Sequence, residues 1–169
     1  MTQRFRGNST HKVDGKGRVS IPADFRRVLD TADPARDPGT NPSVHVCYGD
    51  TRVPWLTCYT VAAMQEIDTM IDGMDEGDPD REALEDYFYT YVETLKLDDS
   101  GRLILPRHLR EQVGIGEEAV FASKGKTFRI LSPEVPERAA NKLQTRLSEL
   151  PEGRSITSLL PSRKGAVAE

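Results

Sequence analysis

The stretch Val13-Asp14-Gly15-Lys16-Gly17-Arg18-Val19-Ser20-Ile21-Pro22 is written a second time as Leu97-Asp98-Asp99-Ser100-Gly101-Arg102-Leu103-Ile104-Leu105-Pro106. Asp98 follows Asp14 by 84 residues, and the same separation relates Arg102 to Arg18, Pro106 to Pro22 and Arg110 to Arg26. Asp, Gly, Arg, Pro and the later Arg recur unchanged, and every aliphatic position recurs as an aliphatic. So many constrained positions aligned without a gap indicate an internal duplication.

Each copy has a local physical reading. Asp14 can accept a hydrogen bond from the backbone two residues on, and Gly15 and Gly17 adopt positive φ at little cost, so Asp-x-x-Gly is a tight turn. Val19 and Ile21 alternate with Arg18 and Ser20, the period of a strand with one buried face. Pro22 suits the first turn of a helix, where its missing N–H costs little. Ala23, Phe25, Val28 and Leu29 supply that helix with an apolar side. In the second copy Leu109 and Val113 do the same, and Gly114 is placed to end the helix.

Arg18 thus stands where a glycine turn meets a strand, and Arg102 is its counterpart. A guanidinium held there suits bidentate contact with phosphate or guanine. The plainer alternative is that Asp14 pairs with Arg18 and only pins the turn. The doubling of the motif and the distribution of charge favour contact.

The chain has 169 residues, a formal net charge of −4, 37% hydrophobic and 30% charged residues. That describes a soluble globular protein, with no apolar run near the roughly 20 residues of a membrane helix. No apolar stretch follows the N-terminal arginines, so no signal peptide is expected and the cytoplasm is the default location. Met1 to Leu29 holds seven basic residues (Arg4, Arg6, Lys12, Lys16, Arg18, Arg26, Arg27) against Asp14 and Asp24, whereas Met64 to Asp99 holds thirteen acidic residues against Arg81 and Lys96. Opposite charges sorted in this way suggest a basic binding face and an acidic outer surface.

Cys47 and Cys58 make no disulfide framework and match no common zinc spacing with His45, so buried free thiols are expected and no metal. His11, His45 and His108 lack a nucleophile or carboxylate partner at recognisable spacing, which argues against an enzyme. No cofactor motif and no small-molecule partner are evident.

In order, Phe5 to Val13 forms an arm and first strand. The Pro- and Gly-rich segment Asp30 to Ser43 reads as a mobile loop. Val44–Tyr48 and Trp55–Tyr59 read as a hairpin, mirrored by Ala119–Ala122 and Thr127–Leu131. Thr60 caps a helix carrying Val61, Met64, Ile67 and Ile71. Asp78-Pro79 opens another, striped with Leu84, Tyr87, Phe88 and Tyr91. Ser132-Pro133 opens a last helix with Val135, Ala139, Leu143, Leu147 and Leu150, and the tail beyond Pro151, with Arg154, Arg163 and Lys164, is expected to be disordered.

These features resemble the MraZ family of bacterial transcriptional regulators, built from two SpoVT-AbrB-type units in one chain. The marks are Phe5-Arg6-Gly7, Asp14-x-Lys16-Gly17-Arg18 with Ser20-Ile21-Pro22, and Asp98-x-x-Gly101-Arg102 with Leu105-Pro106, over roughly Met1 to Leu150. The resemblance implies an α+β fold, a duplicated swapped-hairpin β-barrel pseudo-dimer with flanking helices. Its parts would be repeat 1 at 8–51, an acidic helical connector at 52–89, repeat 2 at 90–140 and the disordered tail at 151–169.

It further implies ring-like homo-oligomers on double-stranded DNA, reading short promoter repeats upstream of the division and cell-wall operon, as a repressor and autoregulator associated with the nucleoid. Lys16, Arg18 and Arg102 are the leading DNA-contact residues, with Arg4, Arg6 and Lys12 around them and Asp14, Gly17, Asp98 and Gly101 shaping the turns. Ser100 stands where the first copy has Lys16, which breaks the symmetry. The competing class is an antitoxin-type DNA-binding protein, against which two motifs in one chain argue.

Overall fold

The computed structural model describes residues 3–162; Arg163 and Lys164, at the basic end of the tail, lie outside the described residues. The chain divides into two compact units, Met1–Val135 and Pro136–Glu169.

The first unit is built on a six-stranded antiparallel sheet. Its strands are β1 (Asn8–Lys12), β3 (Ser43–Cys47), β4 (Trp55–Thr60), β5 (Val92–Lys96), β7 (Glu118–Ser123) and β8 (Thr127–Leu131), while β2 (Arg18–Ser20) and β6 (Arg102–Ile104) pair as a separate ribbon. The duplication is visible to the residue: β5 and β6 lie 84 positions after β1 and β2. Helix α1 (Ala23–Thr31) and helix α4 (Arg107–Gln112) begin at the same separation.

The two copies exchange strands. β1 of the first copy pairs with β7 of the second, Asn8 opposite Ala122 and Lys12 opposite Glu118. β5 of the second pairs with β3 of the first, Ser43 opposite Lys96 and Cys47 opposite Val92. The hairpins β3–β4 and β7–β8 then join through β4 and β8. The resulting order, β1-β7-β8-β4-β3-β5, is unchanged when the copies are swapped.

The expected β-barrel is not closed. β1 and β5 remain the two edges of the sheet. The Asp-x-x-Gly turns carry the chain out of β1 and β5 into the ribbon, and from β1 a single bridge, Val13 to Val19, links the two layers. Closure would need a continuous hydrogen-bonded ladder around the circumference.

The core lies between the inward face of the sheet and the ribbon with α1 and α4. Val44, Val46, Leu56, Cys58, Phe121, Phe128 and Ile130 meet Val19, Ile21, Leu103, Leu105, Phe25, Leu29 and Leu109. Phe5, Phe25 and Phe128 pack edge to face or tilted, with ring centroids 4.9 to 5.1 Å apart. Leu109 occupies the place in the second copy that Phe25 holds in the first. Neither copy has a core of its own, because each supplies the strand that completes the other's layer.

Outside the sheet, α2 (Val61–Asp72) is capped by Thr60, whose hydroxyl accepts the Ala63 N–H at 3.0 Å. Asp78 caps α3 (Pro79–Glu85) and accepts the Asp80 N–H at 2.8 Å. The tyrosine stripe does not continue this helix. Residues Asp86–Thr90 form a π-helical turn, with Phe88 set edge-on to Tyr59 and Tyr87. Tyr91 leaves the helix and packs on Tyr48 instead.

The segment expected to be a mobile loop is braced by its own side chains, with the buried Asp33 carboxylate accepting the Ser43 N–H at 3.0 Å. Arg36 donates to the carbonyls of Asp30, Asp33 and Thr40, and to the Asp30 carboxylate. The last helix is two pieces, α5 (Glu137–Ala140) and α6 (Leu143–Glu149), interrupted where Asn141 turns extended and accepts the Leu143 N–H at 3.1 Å. A 3₁₀ turn, Ile156–Leu159, follows.

Because Phe128 joins the arm, the first helix and the second hairpin, Phe128→Ala should lower unfolding free energy by about 3–5 kcal/mol in chemical denaturation. A loss under about 1 kcal/mol would show that the rings do not knit the copies into one core.

Candidate nucleic-acid interface

Each Asp-x-x-Gly turn is organised by its carboxylate. Asp14 Oδ1 accepts the N–H groups of Lys16 and Arg18, both at 2.9 Å, while Oδ2 accepts Arg18 Nε at 2.6 Å. Asp98 repeats this with Ser100 N–H (2.9 Å), Arg102 N–H (2.8 Å) and Arg102 Nε (2.9 Å). The backbone closes both turns: Asp14 and Arg18 bond through N–H and carbonyl, as do Asp98 and Arg102.

The anchored atom is Nε in both arginines. Among the described residues, no hydrogen bond reaches the terminal nitrogens of Arg18 or Arg102. Pinning the turn and presenting a fork are therefore compatible: the carboxylate fixes the base of the guanidinium and leaves its outer edge open. Such a fork is already oriented for phosphate or a guanine edge. The three donated bonds, led by the Arg18 backbone N–H, hold the Asp14 carboxyl down at about 2. The Arg102 backbone N–H likewise leads the lowering at Asp98.

The glycines are needed for close approach. Gly17 and Gly101 have φ of +83° and +73°. The Gly17 carbonyl accepts the Leu105 N–H at 2.9 Å, and the Gly101 carbonyl accepts the Ile21 N–H at 3.1 Å. A side chain at Gly17 would meet the Leu105 carbonyl and the Arg110 guanidinium, and one at Gly101 would meet Arg26. Arg26 and Arg110 thus brace the opposite copy's turn, a role sequence reasoning did not assign. Their recurrence at the common separation of 84 was the available signal. Arg110 Nε donates to the Leu105 carbonyl at 3.0 Å, whereas Arg26 Nε is buried without a partner.

The ribbon turns Val19 and Leu103 into the core and Arg18, Ser20, Arg102 and Ile104 outward, with Arg18 opposite Ile104 and Ser20 opposite Arg102. The two ends differ in charge. The first turn sets Lys16 and Arg18 against Asp14; the second sets Arg102 against Asp98 and Asp99. Asp99 also accepts the Asn41 side-chain N–H at 2.8 Å.

The sequence-predicted basic residues do not form one surface. Lys12, at the end of β1, is exposed near the first turn. Arg4 and Arg6 lie at the opposite end of that strand, where Phe5 bonds Gly125. Five residues of strand separate the two places by about 17 Å. There they join Lys124 and Lys126 of the β7–β8 turn, which the sequence reading passed over. Arg27 pairs with Asp24.

Cys47 and Cys58 are buried free thiols, and burial pushes Cys47 up to about 12 and Cys58 well above its ordinary value. His108 finds Glu93 at 2.8 Å and His11 finds Ser9 at 2.8 Å. Among the described residues, no group of three His, Cys, Asp or Glu could hold a metal ion, and no helix is long and apolar enough to cross a membrane.

No protein-family model matches the chain. A protein of Ruegeria sp. (strain TM1040) named transcriptional regulator MraZ is 42% identical over 170 residues, spanning 98% of this chain and 100% of that one. The chain belongs to the MraZ family. A Ruegeria pomeroyi protein of the same name is 44% identical over 155 residues, spanning 90% of this chain and 92% of its own length. A MraZ regulator of Cereibacter sphaeroides is 37% identical over 167 residues, spanning 95% of this chain and 97% of its own.

Two predictions test the turn chemistry. Asp14 is depressed from 3.8 to about 2, so its stabilising bonds are complete above 3.8 and are lost as pH falls through about 2. The Lys16 and Arg18 amide resonances should hold their positions down to pH ~4 and shift with a midpoint near 2; a midpoint near 3.8 would mean the carboxylate is not held. Gly17→Ala should cost about 1–3 kcal/mol in denaturant unfolding, because it combines positive φ with a blocked approach.

Proposed function

We propose that the chain is a sequence-specific DNA-binding transcriptional regulator whose contact surface is the β2–β6 ribbon with its two turns. The observation that carries this is the pinned guanidinium: Arg18 held through Nε by Asp14 at 2.6 Å, its terminal nitrogens open, beside the exposed Lys16. An ordinary surface ion pair would not combine three converging donors, a close-packed glycine and a second copy of the same device across a two-stranded ribbon. Family membership among proteins named transcriptional regulators supports the same reading.

In this mechanism the first turn leads. Its net positive charge suits the DNA backbone or a guanine edge, whereas Asp98 and Asp99 make the second turn a poorer partner. Arg102 then contributes a single contact or braces the ribbon, and Lys12 flanks the site. Arg4 and Arg6, beyond the far end of β1, are left out of this surface.

The wider reading follows the resemblance. The strand-exchanged copies are taken as two SpoVT-AbrB-type units, and chains of this kind are proposed to close into ring-like homo-oligomers. One protomer offers few phosphate contacts, so binding by a single chain should be weak and steeply salt-dependent. A ring presenting several first turns to closely spaced promoter repeats would gain avidity without any new contact. Occupancy of its own promoter, upstream of the division and cell-wall operon, would repress transcription.

The test is a titration of wild type and Arg18→Ala with the DNA upstream of this gene and with scrambled DNA, at two salt concentrations and known oligomer size. Wild type should prefer the upstream DNA, and Arg18→Ala should lose about 1–3 kcal/mol per site of that preference. Lys16→Ala should lower the salt slope by about 1 per site. Unchanged preference in Arg18→Ala would remove the turn from the contact surface.

A further inference from the structure

We infer that Ile104 is a specificity-determining residue of the ribbon, packing on the 5-methyl group of a thymine beside the site that Arg18 contacts. The inference rests on the ribbon as the DNA-contact surface. Strands β2 and β6 have three residues each, and each turns its middle residue, Val19 or Leu103, into the core. Four side chains are left facing outward: Arg18 and Ser20 from one strand, Arg102 and Ile104 from the other. Three of them are polar. Ile104 is large and apolar, yet 52% exposed.

In the antiparallel register Ile104 stands directly opposite Arg18. Side chains paired in this way leave the backbone about 4.5–5.5 Å apart. Successive bases on a DNA strand are about 3.4 Å apart, so with Arg18 on one base or its phosphate, Ile104 meets the neighbouring step. A two-stranded ribbon fits the major groove, where the apolar group that a base pair presents is the thymine methyl. An isoleucine held there has one base to favour. A serine, by contrast, can donate to or accept from several.

A lone exposed isoleucine is ordinary on a protein surface, and a β-branched residue suits a strand. The duplication speaks against both explanations. Ser20 is the residue 84 positions earlier, in a strand of the same length. Its neighbour Ile21 donates its N–H to the Gly101 carbonyl at 3.1 Å, as Leu105 beside Ile104 donates to the Gly17 carbonyl at 2.9 Å. The backbone therefore accepts a small polar residue at this place, and the difference between Ser20 and Ile104 falls on the outward surface. It falls beside the stronger cation. Ile104 faces Arg18, at the turn that carries Lys16, whereas Ser20 faces Arg102, at the turn that carries Asp98 and Asp99. The apolar contact is placed next to the leading DNA contact, and the two ends of the ribbon present unlike chemistry to the bases.

The experiment takes the full chain and the DNA upstream of its gene, with each thymine in turn replaced by deoxyuridine, which lacks only the 5-methyl group. Wild type should lose about fourfold in affinity at the contacted thymine, the worth of one buried methyl group. This arm leaves the protein unaltered. Ile104→Ser, which copies Ser20, should bind the thymine DNA at least about fourfold more weakly. It should also no longer distinguish deoxyuridine at that position, the coupling expected of groups in contact. The inference is overturned if no deoxyuridine substitution weakens wild type, or if Ile104→Ser is as sensitive to it as wild type. In the second case Ile104 only props the stem of Arg18. Loss of upstream preference in Arg18→Ala, without any deoxyuridine effect in wild type, sinks this inference and leaves the ribbon as the contact surface. Unchanged preference in Arg18→Ala removes the ribbon, and this inference with it.

Discussion

A carboxylate that collects three donors is the constraint on which the molecule is built. Asp14 takes two backbone N–H groups and one guanidinium Nε, and Asp98 does the same 84 residues later. Those bonds turn the chain out of a sheet strand and start the ribbon strand in a fixed direction. The glycine that follows lets the opposite copy come within backbone hydrogen-bond distance, Gly17 to Leu105 and Gly101 to Ile21. Once the ribbon is set, Val19 and Leu103 face inward, α1 and α4 start at fixed points, and the shared core has its floor. The residues that fix the fold are the same ones that orient Arg18 and Arg102.

Strand exchange explains why one chain carries both copies. β1 finds its ladder on β7 and β5 on β3. A single copy would leave its first strand unpaired and its hairpin half covered, exposing Phe121 and Phe128 or Val44 and Val46. Linking the copies by α2, α3 and the π-helical turn keeps both partners present at all times. It also allows the halves to diverge, as the two turns did in charge.

Much of this was legible in the sequence, for local reasons. The turn, the strand beginning at Arg18, the helix following Pro22 and the cap at Thr60 depend on neighbours within four residues, and each lies where the pattern places it. Strand partners depend on pairing across a hundred residues, and the alternation along β1 says only that it has a partner. Closure of the sheet was equally invisible, and the expectation of a barrel did not survive. The Leu84–Tyr91 stripe failed because Tyr48 and Tyr59 compete for the aromatic rings, and the last helix because Asn141 offers its side chain to the backbone. For the candidate site, the reading placed Lys16, Arg18 and Arg102 on the two turns, where the structure has them, but drew Arg4 and Arg6 to them by proximity in sequence. A five-residue strand carries those two arginines to Lys124 and Lys126. The reach of Arg26 and Arg110 into the other copy required the three-dimensional arrangement.

The central claim is that Asp14 makes Arg18 a reader by holding it, and the substitution Asp14→Asn tests it most directly. The change keeps the shape of the side chain and makes the net charge of −4 less negative by one. If charge alone governs binding, affinity for upstream and scrambled DNA should both rise. If the held guanidinium governs it, preference for the upstream sequence should fall while scrambled DNA binds as well as before or better. A titration of the variant against both DNAs at one salt concentration decides between them, and an undiminished preference would contradict the account.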